Sequence, residues 1–195
     1  MTGHVMILLD TSGSTARYIG LYLTLVNRVL EKRFEKDLFS IATFSDALRF
    51  IHVRSFVREP LRPEDISSKG STALYDNLGV FLRKLQNFEE KLEITSGKRT
   101  VIVITDGLDT NSQFLRVHDV ETQVKLLRDR GWEFLFLGVC PISMGTAGEL
   151  GFPHRILYEQ TPQSLEAVTD RILKFLETFD PVADLDLRFG NMSIS

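Results

Sequence analysis

Three short runs of oxygen-bearing side chains constrain the fold of this chain: residues 10–14 (DTSGS), 70–72 (GST) and 105–107 (TDG). Two of them follow apolar segments, residues 5–9 and 101–104, which are rich in Val, Ile and Leu as buried strands are. A strand that ends at an aspartate presents that carboxylate at its carboxyl end. In an open α/β sheet this edge is where ligands bind. The sequence therefore predicts an α/β sheet with a polar site at one edge.

The side chains of these runs are hard oxygen donors. Carboxylates from Asp10 and Asp106 together with hydroxyls suit Mg²⁺, Mn²⁺ or Ca²⁺, whereas zinc or copper would call for His and Cys. Two carboxylates only just neutralise a divalent ion, so the ion stays electrophilic and could accept a further carboxylate from outside. A single run of this kind is also typical of a helix N-cap, so the metal-site prediction depends on all three runs together.

The first run resembles the D-x-S-x-S motif of von Willebrand factor A (VWA) domains, and residues 70–76 and 104–107 are similar to that family's second and third loops. In the family these loops form the metal ion-dependent adhesion site (MIDAS), and all five positions of its pattern are filled here. The resemblance covers residues 4–178. It implies direct ligation by Ser12, Ser14 and Thr72, and ligation directly or through water by Asp10 and Asp106.

Apolar periodicity predicts strands and helices in alternation. Strands are predicted over residues 5–9, 38–44, 47–53, 100–105, 133–139 and 155–158, and helices over residues 19–34, 73–88, 120–127, 143–150 and 162–179. A tight turn at Ser45 and Asp46 makes the second and third strands an antiparallel hairpin, with the third strand at a sheet edge. This order predicts an α/β fold in which helices cover both faces of a mostly parallel sheet.

The resemblance supplies the strand order, 3-2-1-4-5-6, for a doubly wound, six-stranded sheet with one antiparallel edge strand. The first and fourth strands are then neighbours whose connections diverge, so Asp10 and Asp106 should lie side by side. Within the family, residues 131–138 are most similar to stand-alone bacterial and phage members. We predict one VWA domain over residues 1–180 and a C-terminal tail over residues 181–195, in which a frayed terminus and an added strand remain alternatives.

Composition excludes several partners and compartments. The formal net charge is −3 and no basic run stands out, which argues against nucleic acid as a partner. No stretch approaches the roughly 20 apolar residues of a membrane span, and no targeting segment is evident, so we expect a cytoplasmic protein. The single cysteine, Cys140, is predicted to be a buried small side chain. The oligomeric state does not follow from the sequence.

Other conspicuous side chains receive structural interpretations. The four histidines lack ligand spacing and evident partners, which argues against zinc and histidine-based catalysis: His4, His52, His118 and His154. Trp132 alternates with apolar residues as core strands do. Asp46 and Asp76 are predicted to cap a helix or stabilise a turn. Asp109 and Asp119 are predicted to be solvated loop carboxylates.

Two classes of function remain. The first is a non-enzymatic adaptor that presents Mg²⁺, with Mn²⁺ or Ca²⁺ as alternatives, to an Asp or Glu side chain of a protein partner. The second is a metal-dependent hydrolase or phosphate-handling enzyme that uses the same site. The sequence has no P-loop, no nucleophile with a nearby base and no second cluster for a two-metal site. Hydroxyl-rich, carboxylate-poor ligation therefore favours the binding module.

Overall fold

The computed structural model describes residues 3–33, 35–57, 59–91 and 97–178. Within these ranges six strands alternate with five α-helices: β1 Gly3–Asp10, α1 Ile19–Arg33, β2 Asp37–Phe44, β3 Leu48–Ser55, α2 Leu74–Lys91, β4 Arg99–Ile104, α3 Val117–Asp129, β5 Trp132–Gly138, α4 Pro141–Glu149, β6 His154–Leu157 and α5 Pro162–Thr178. Two short 3₁₀ helices, Gly13–Tyr18 and Pro63–Asp65, lie in the connections. Phe34 and Phe179, the last residues of the predicted first and last helices, and the predicted tail lie outside the described residues.

The six strands form one sheet in the order β3-β2-β1-β4-β5-β6. Strand β1 pairs in parallel with β2 and β4, and β2 pairs with β3 in antiparallel fashion. The predicted α/β class, the doubly wound strand order and the antiparallel edge strand are confirmed. Because Leu9 pairs with Ile104, the carboxyl ends of β1 and β4 meet at the same level of the sheet.

Strand β1 lies at the centre of the core and is buried at all eight positions. Its side chains alternate between two layers, as the period of a strand requires. Ile7 and Leu9 pack with α1 and α5, while Met6 and Leu8 pack with α2 and α3. The predicted helix layers on both faces of the sheet are therefore present. No helix in the described ranges is long and apolar enough to span a bilayer.

The helix α1 begins at Ile19, as predicted, because the first loop continues into a 3₁₀ helix. Leu126 and Cys140 differ from what their local sequence predicts. Leu126, an apolar residue of the predicted helix over residues 120–127, is 46% exposed, whereas Val120, Val124 and Leu127 form the buried face of α3. Cys140 was expected to be buried at the end of a strand. It is half-buried instead, because β5 ends at Gly138 and Cys140 is the N-cap of α4.

Histidines also have more partners than the sequence indicates. The buried His4 ring lies 2.8 Å from Ser40 Oγ through Nε2 and 3.3 Å from Glu89 Oε1 through Nδ1. The Glu89 carboxylate also forms an ion pair with Arg99. This network ties β1, β2, α2 and β4 together at the amino end of the sheet, away from the three runs. Trp132 is buried among the α2 and α3 side chains, which confirms its predicted core role.

Candidate functional site

Asp10 is the last residue of β1 and its side chain is fully buried. One carboxylate oxygen, Oδ1, accepts a hydrogen bond from the Ser12 N–H at 2.8 Å, and Oδ2 accepts one from Thr105 Oγ1 at 2.6 Å. Burial raises the pKa of the Asp10 carboxyl, the bonds from Thr105 and Ser12 lower it, and the charge of Asp106 raises it further. Asp10 is therefore held in one orientation, in surroundings that favour a compensating positive charge.

The first loop brings two serine hydroxyls to this carboxylate edge. Ser12 Oγ lies 3.1 Å from Ser14 Oγ, and Ser14 Oγ donates to Asp106 Oδ2 at 2.5 Å. The loop is held by Thr15, whose buried hydroxyl donates to the Ser12 carbonyl at 2.9 Å and to the Asp10 carbonyl at 3.2 Å. Four predicted site residues, Asp10, Ser12, Ser14 and Asp106, are thus joined in one hydrogen-bonded series.

The second loop lies between the other two. The Gly13 N–H donates to the Gly70 carbonyl at 2.9 Å, which docks the first loop on the second. The Thr72 N–H donates to Thr110 Oγ1, and the N–H groups of Thr110 and Asn111 donate to the Thr72 carbonyl. The backbone of Thr72 is therefore fixed from both sides. Its hydroxyl has no hydrogen-bond partner among the described residues and remains free to contact a ligand.

The third loop turns sharply after Asp106. Gly107 has a φ of +89°, which favours glycine, and a Cβ at this position would collide with Ser143 of α4. The Gly107 N–H donates to Thr105 Oγ1 at 2.9 Å, so one hydroxyl orients Asp10 and also closes this turn. The sequence analysis gave Thr105 no role of its own. Its position between the end of β4 and Asp106 nevertheless indicates a hydroxyl close to the site.

The donor set at this edge is dominated by hydroxyls. Within the described ranges no group of three or more His, Cys, Asp or Glu side chains is placed to hold a metal. An ion here would depend on Asp10 and Asp106 for charge, and on hydroxyl and water oxygens for the rest of its coordination.

The remaining aspartates near the site stabilise loops. Asp46 Oδ1 accepts from the Ser71 hydroxyl and N–H, and these bonds hold the pKa of the Asp46 carboxyl below its ordinary value. The Asp76 carboxylate accepts from three backbone N–H groups of the loop before α3. Asp46 and Asp76 therefore hold loops that are distant in sequence, whereas the sequence predicted local capping and turn roles. Asp109 and Asp119 accept from the N–H groups of Tyr75 and Arg116, and Asp119 is also exposed to solvent, as predicted.

A buried tyrosine on α1 lies close to the two site carboxylates. Tyr22 Oη accepts a hydrogen bond from Gln160 Nε2 at 2.5 Å. Burial raises the pKa of the Tyr22 hydroxyl, and the negative charges of Asp10 and Asp106 raise it further. Tyr22 therefore remains a neutral hydroxyl at physiological pH. Tyr22 lies on the buried face of α1, and nothing in its local sequence indicates that it is close to Asp10 and Asp106.

Comparison with known proteins shows the fold. No protein-family model matches the sequence, and no curated protein matches it. A structure of the conserved hypothetical protein BatB from Bacteroides thetaiotaomicron is similar, with a TM-score of 0.62 and 18% identity, covering 90% of this chain and 100% of BatB. The VWA domain of SpRpn10 is also similar, with a TM-score of 0.58 and 12% identity, covering 88% of this chain and 95% of that one.

A third similar structure is proximal thread matrix protein 1 from the mussel byssus, which was determined with a zinc-occupied MIDAS motif. The TM-score is 0.64 at 15% identity, and the match covers 90% of this chain but 46% of the mussel protein. Identities of this size show the fold alone. The chain has the fold of VWA domains.

Proposed function

We propose that this VWA-fold chain is a metal-dependent protein-binding module. In this proposal Mg²⁺, with Mn²⁺ or Ca²⁺ as alternatives, binds five side chains: Asp10, Ser12, Ser14, Thr72 and Asp106. The ion then binds the Asp or Glu carboxylate of a protein partner. The observation that carries the proposal is the hydrogen-bonded series from Asp10 through Ser12 and Ser14 to Asp106, at the shared edge of β1 and β4.

The chemistry of these donors fits a hard divalent cation. Hydroxyl oxygens can turn their protons outward and offer lone pairs to the ion, and carboxylates supply the charge. Asp10 supports this fit because burial alone disfavours its charged form, and a bound cation would offset that cost. The mussel protein supports it as well, because its MIDAS holds a divalent ion in the same fold.

The proposed capture step follows from the same donor set. Two protein carboxylates balance the charge of a divalent ion, so the ion can still gain from a third carboxylate. A partner's Asp or Glu would supply that ligand, and the metal-carboxylate bond would fix its position. Sites built for hydrolysis usually contain more acids or histidines, and this hydroxyl-rich arrangement favours binding over catalysis.

Metal binding is tested by thermal unfolding and calorimetric titration with Mg²⁺. Saturation at about 100 times Kd stabilises the native state by about 2.7 kcal/mol, a rise in Tm of roughly 5–10 °C for a domain of this size. We expect this rise in wild type and in Ser67→Ala, which removes an exposed hydroxyl from the neighbouring connection. We expect it to be lost in Ser12→Ala. Equal stabilisation of all three proteins would contradict the proposed ligand set.

Partner capture and catalysis are then separated by two assays on the same proteins. Partners retained from a native lysate in Mg²⁺ should be lost on addition of EDTA and in Ser12→Ala, but not in Ser67→Ala. A chromogenic phosphate ester, p-nitrophenyl phosphate, tests the enzymatic alternative. Mg²⁺-dependent hydrolysis that disappears in Ser12→Ala would overturn the binding proposal in favour of an enzyme.

A further inference from the structure

Three large apolar side chains are exposed beside the candidate metal site. Leu108 is 47% exposed, Phe114 84% and Ile142 62%, and we refer to these three residues as the apolar rim. Leu108 follows Asp106 by two residues, so their Cα atoms are at most about 7 Å apart. Ile142 precedes Ser143, the residue that packs against the Gly107 turn. The rim therefore lies on the α3 and α4 side of the site.

Phe114 is exposed on a loop that is held rigidly. The Asp76 carboxylate accepts hydrogen bonds from the N–H groups of Gln113 at 2.7 Å, Phe114 at 3.1 Å and Leu115 at 2.6 Å. Bonds to a charged acceptor are stronger than those between neutral groups. They fix the backbone on both sides of Phe114 while its ring stays in solvent. The loop thus presents an aromatic ring in a defined position without burying it.

Phe114 also lies within reach of a ligand bound at the site. The Asn111 N–H donates to the Thr72 carbonyl at 3.1 Å, so this part of the loop contacts the second loop of the site. Phe114 follows Asn111 by three residues, a span of at most about 11 Å. An extended peptide advances about 3.3 Å per residue. A side chain one to three residues from a bound acid can therefore reach the ring.

Two exposed cations lie near the first loop of the site. Arg17 follows Ser14 by three residues in the 3₁₀ helix, where side chains three apart are eclipsed, so both lie on the same side of that helix. Lys69 lies beside the first loop, because its N–H donates to the Thr11 carbonyl. Neither Arg17 nor Lys69 forms an ion pair with any residue that the structure describes. These cations complement an acidic ligand and would speed its encounter with the site.

From this arrangement we infer the class of ligand: an extended segment of a protein partner with an acidic side chain and, one to three residues from it, a large apolar side chain. The acid binds the metal and the apolar side chain packs on the rim, chiefly on Phe114. This inference rests on the proposed metal-dependent capture. It adds that the rim, and not the ion alone, selects the partner.

The test is a selection from random peptides displayed on phage, with the protein immobilised in Mg²⁺ and bound phage eluted with EDTA. Wild type is compared with Phe114→Ser and with Phe88→Ser, a control that changes a 46% exposed phenylalanine on the distal part of α2. Phe114 is almost wholly exposed, so Phe114→Ser should melt as wild type does, and a thermal melt verifies that Phe88→Ser is folded at the temperature of the selection. We expect wild type and Phe88→Ser to enrich peptides with an acid and an apolar residue at the stated spacing.

In Phe114→Ser the acidic preference should persist while the apolar preference disappears. A synthetic peptide of the selected sequence should bind Phe114→Ser about ten-fold to hundred-fold more weakly than wild type, as expected for the loss of one buried aromatic contact. Enrichment of acids alone, or an apolar preference unchanged in Phe114→Ser, would overturn the inference and leave metal-dependent capture standing. If EDTA elutes no enriched peptides from any protein, the proposed function fails and the inference fails with it.

Discussion

Thr105 Oγ1 donates a 2.6 Å hydrogen bond to Asp10 Oδ2 across 95 positions of sequence. Both residues are fully buried at the carboxyl ends of neighbouring parallel strands. The same hydroxyl accepts from the Gly107 N–H, so Thr105 links the orientation of Asp10 to the shape of the third loop. Substitution of a group that orients a metal ligand in this way commonly weakens metal binding by about ten-fold to hundred-fold.

Thr105→Val is expected to weaken Mg²⁺ binding by about ten-fold to hundred-fold, because valine keeps the shape of the side chain and removes both hydrogen bonds. Calorimetric titration measures this change directly. Thr100→Val is the matched control, since Thr100 is a buried threonine of β4, the strand that Thr105 directly follows. Equal affinities in the two variants would show that Thr105 does not act on the site.

Asp10→Asn is expected to stabilise the metal-free protein at neutral pH. The native pKa of Asp10 is raised above its ordinary value of 3.8, so in the window between the two values the native state binds more protons than the unfolded state. The contribution of Asp10 to stability therefore falls as pH rises through that window. Urea denaturation in EDTA at pH 7 should show a higher free energy of unfolding for Asp10→Asn. The stabilisation by Mg²⁺ should vanish in the same variant, and a destabilised metal-free Asp10→Asn would contradict this account.

Gly107→Ala should distort the site far more than an ordinary glycine substitution. Gly107 and Gly131 both have positive φ angles, +89° and +81°, so alanine is strained at both, by about 1 kcal/mol. At Gly107 the new Cβ also collides with Ser143, whereas at Gly131 it meets nothing within 4 Å. We expect Gly107→Ala to lose Mg²⁺ binding. Its free energy of unfolding should fall several-fold more than that of Gly131→Ala. Similar losses in the two variants would mean that the Ser143 contact is unimportant.

Glu89→Ala should destabilise the protein by about 1–3 kcal/mol, because it removes the carboxylate that contacts the buried His4 ring and the partly buried Arg99 side chain. The neighbouring Glu90 pairs with Arg130 in solvent, so Glu90→Ala should have little effect. Urea denaturation of the two variants measures the difference. Because this network lies at the opposite end of the sheet, Mg²⁺ affinity should be unchanged in Glu89→Ala wherever it remains folded.

Asp76→Ala should release the loop that presents Phe114. The backbone amides of Gln113, Phe114 and Leu115 lose their acceptor, and their hydrogen exchange should accelerate at least about ten-fold. Asp119→Ala is the control, because it removes a carboxylate from the start of α3 that accepts instead from the Arg116 N–H. Unchanged exchange at all three amides in Asp76→Ala would show that other contacts hold the loop.

Sequence reasoning succeeded where the chemistry is local and repeated. Apolar strands that end at Asp10 and just before Asp106 predict the same sheet edge, and the register of Leu9 with Ile104 confirms it. It succeeded less well where a role depends on distant neighbours. Thr105 and Asp76 act on residues 95 and about 38 positions away, and their importance follows from the contacts alone. Cys140 was misplaced because the end of a strand and the cap of the next helix have similar local sequences.

The distance in sequence between the two halves of the site has a consequence for how the protein folds. Thr105 is synthesised 95 residues after Asp10, and β1 must wait for β4 to pair beside it. Closing so long a loop is slow and belongs to the formation of the whole sheet. A cation held at this edge would therefore find no partial site on a nascent or unfolded chain. Its binding energy would act on the completed sheet, slowing unfolding without guiding the early steps of folding.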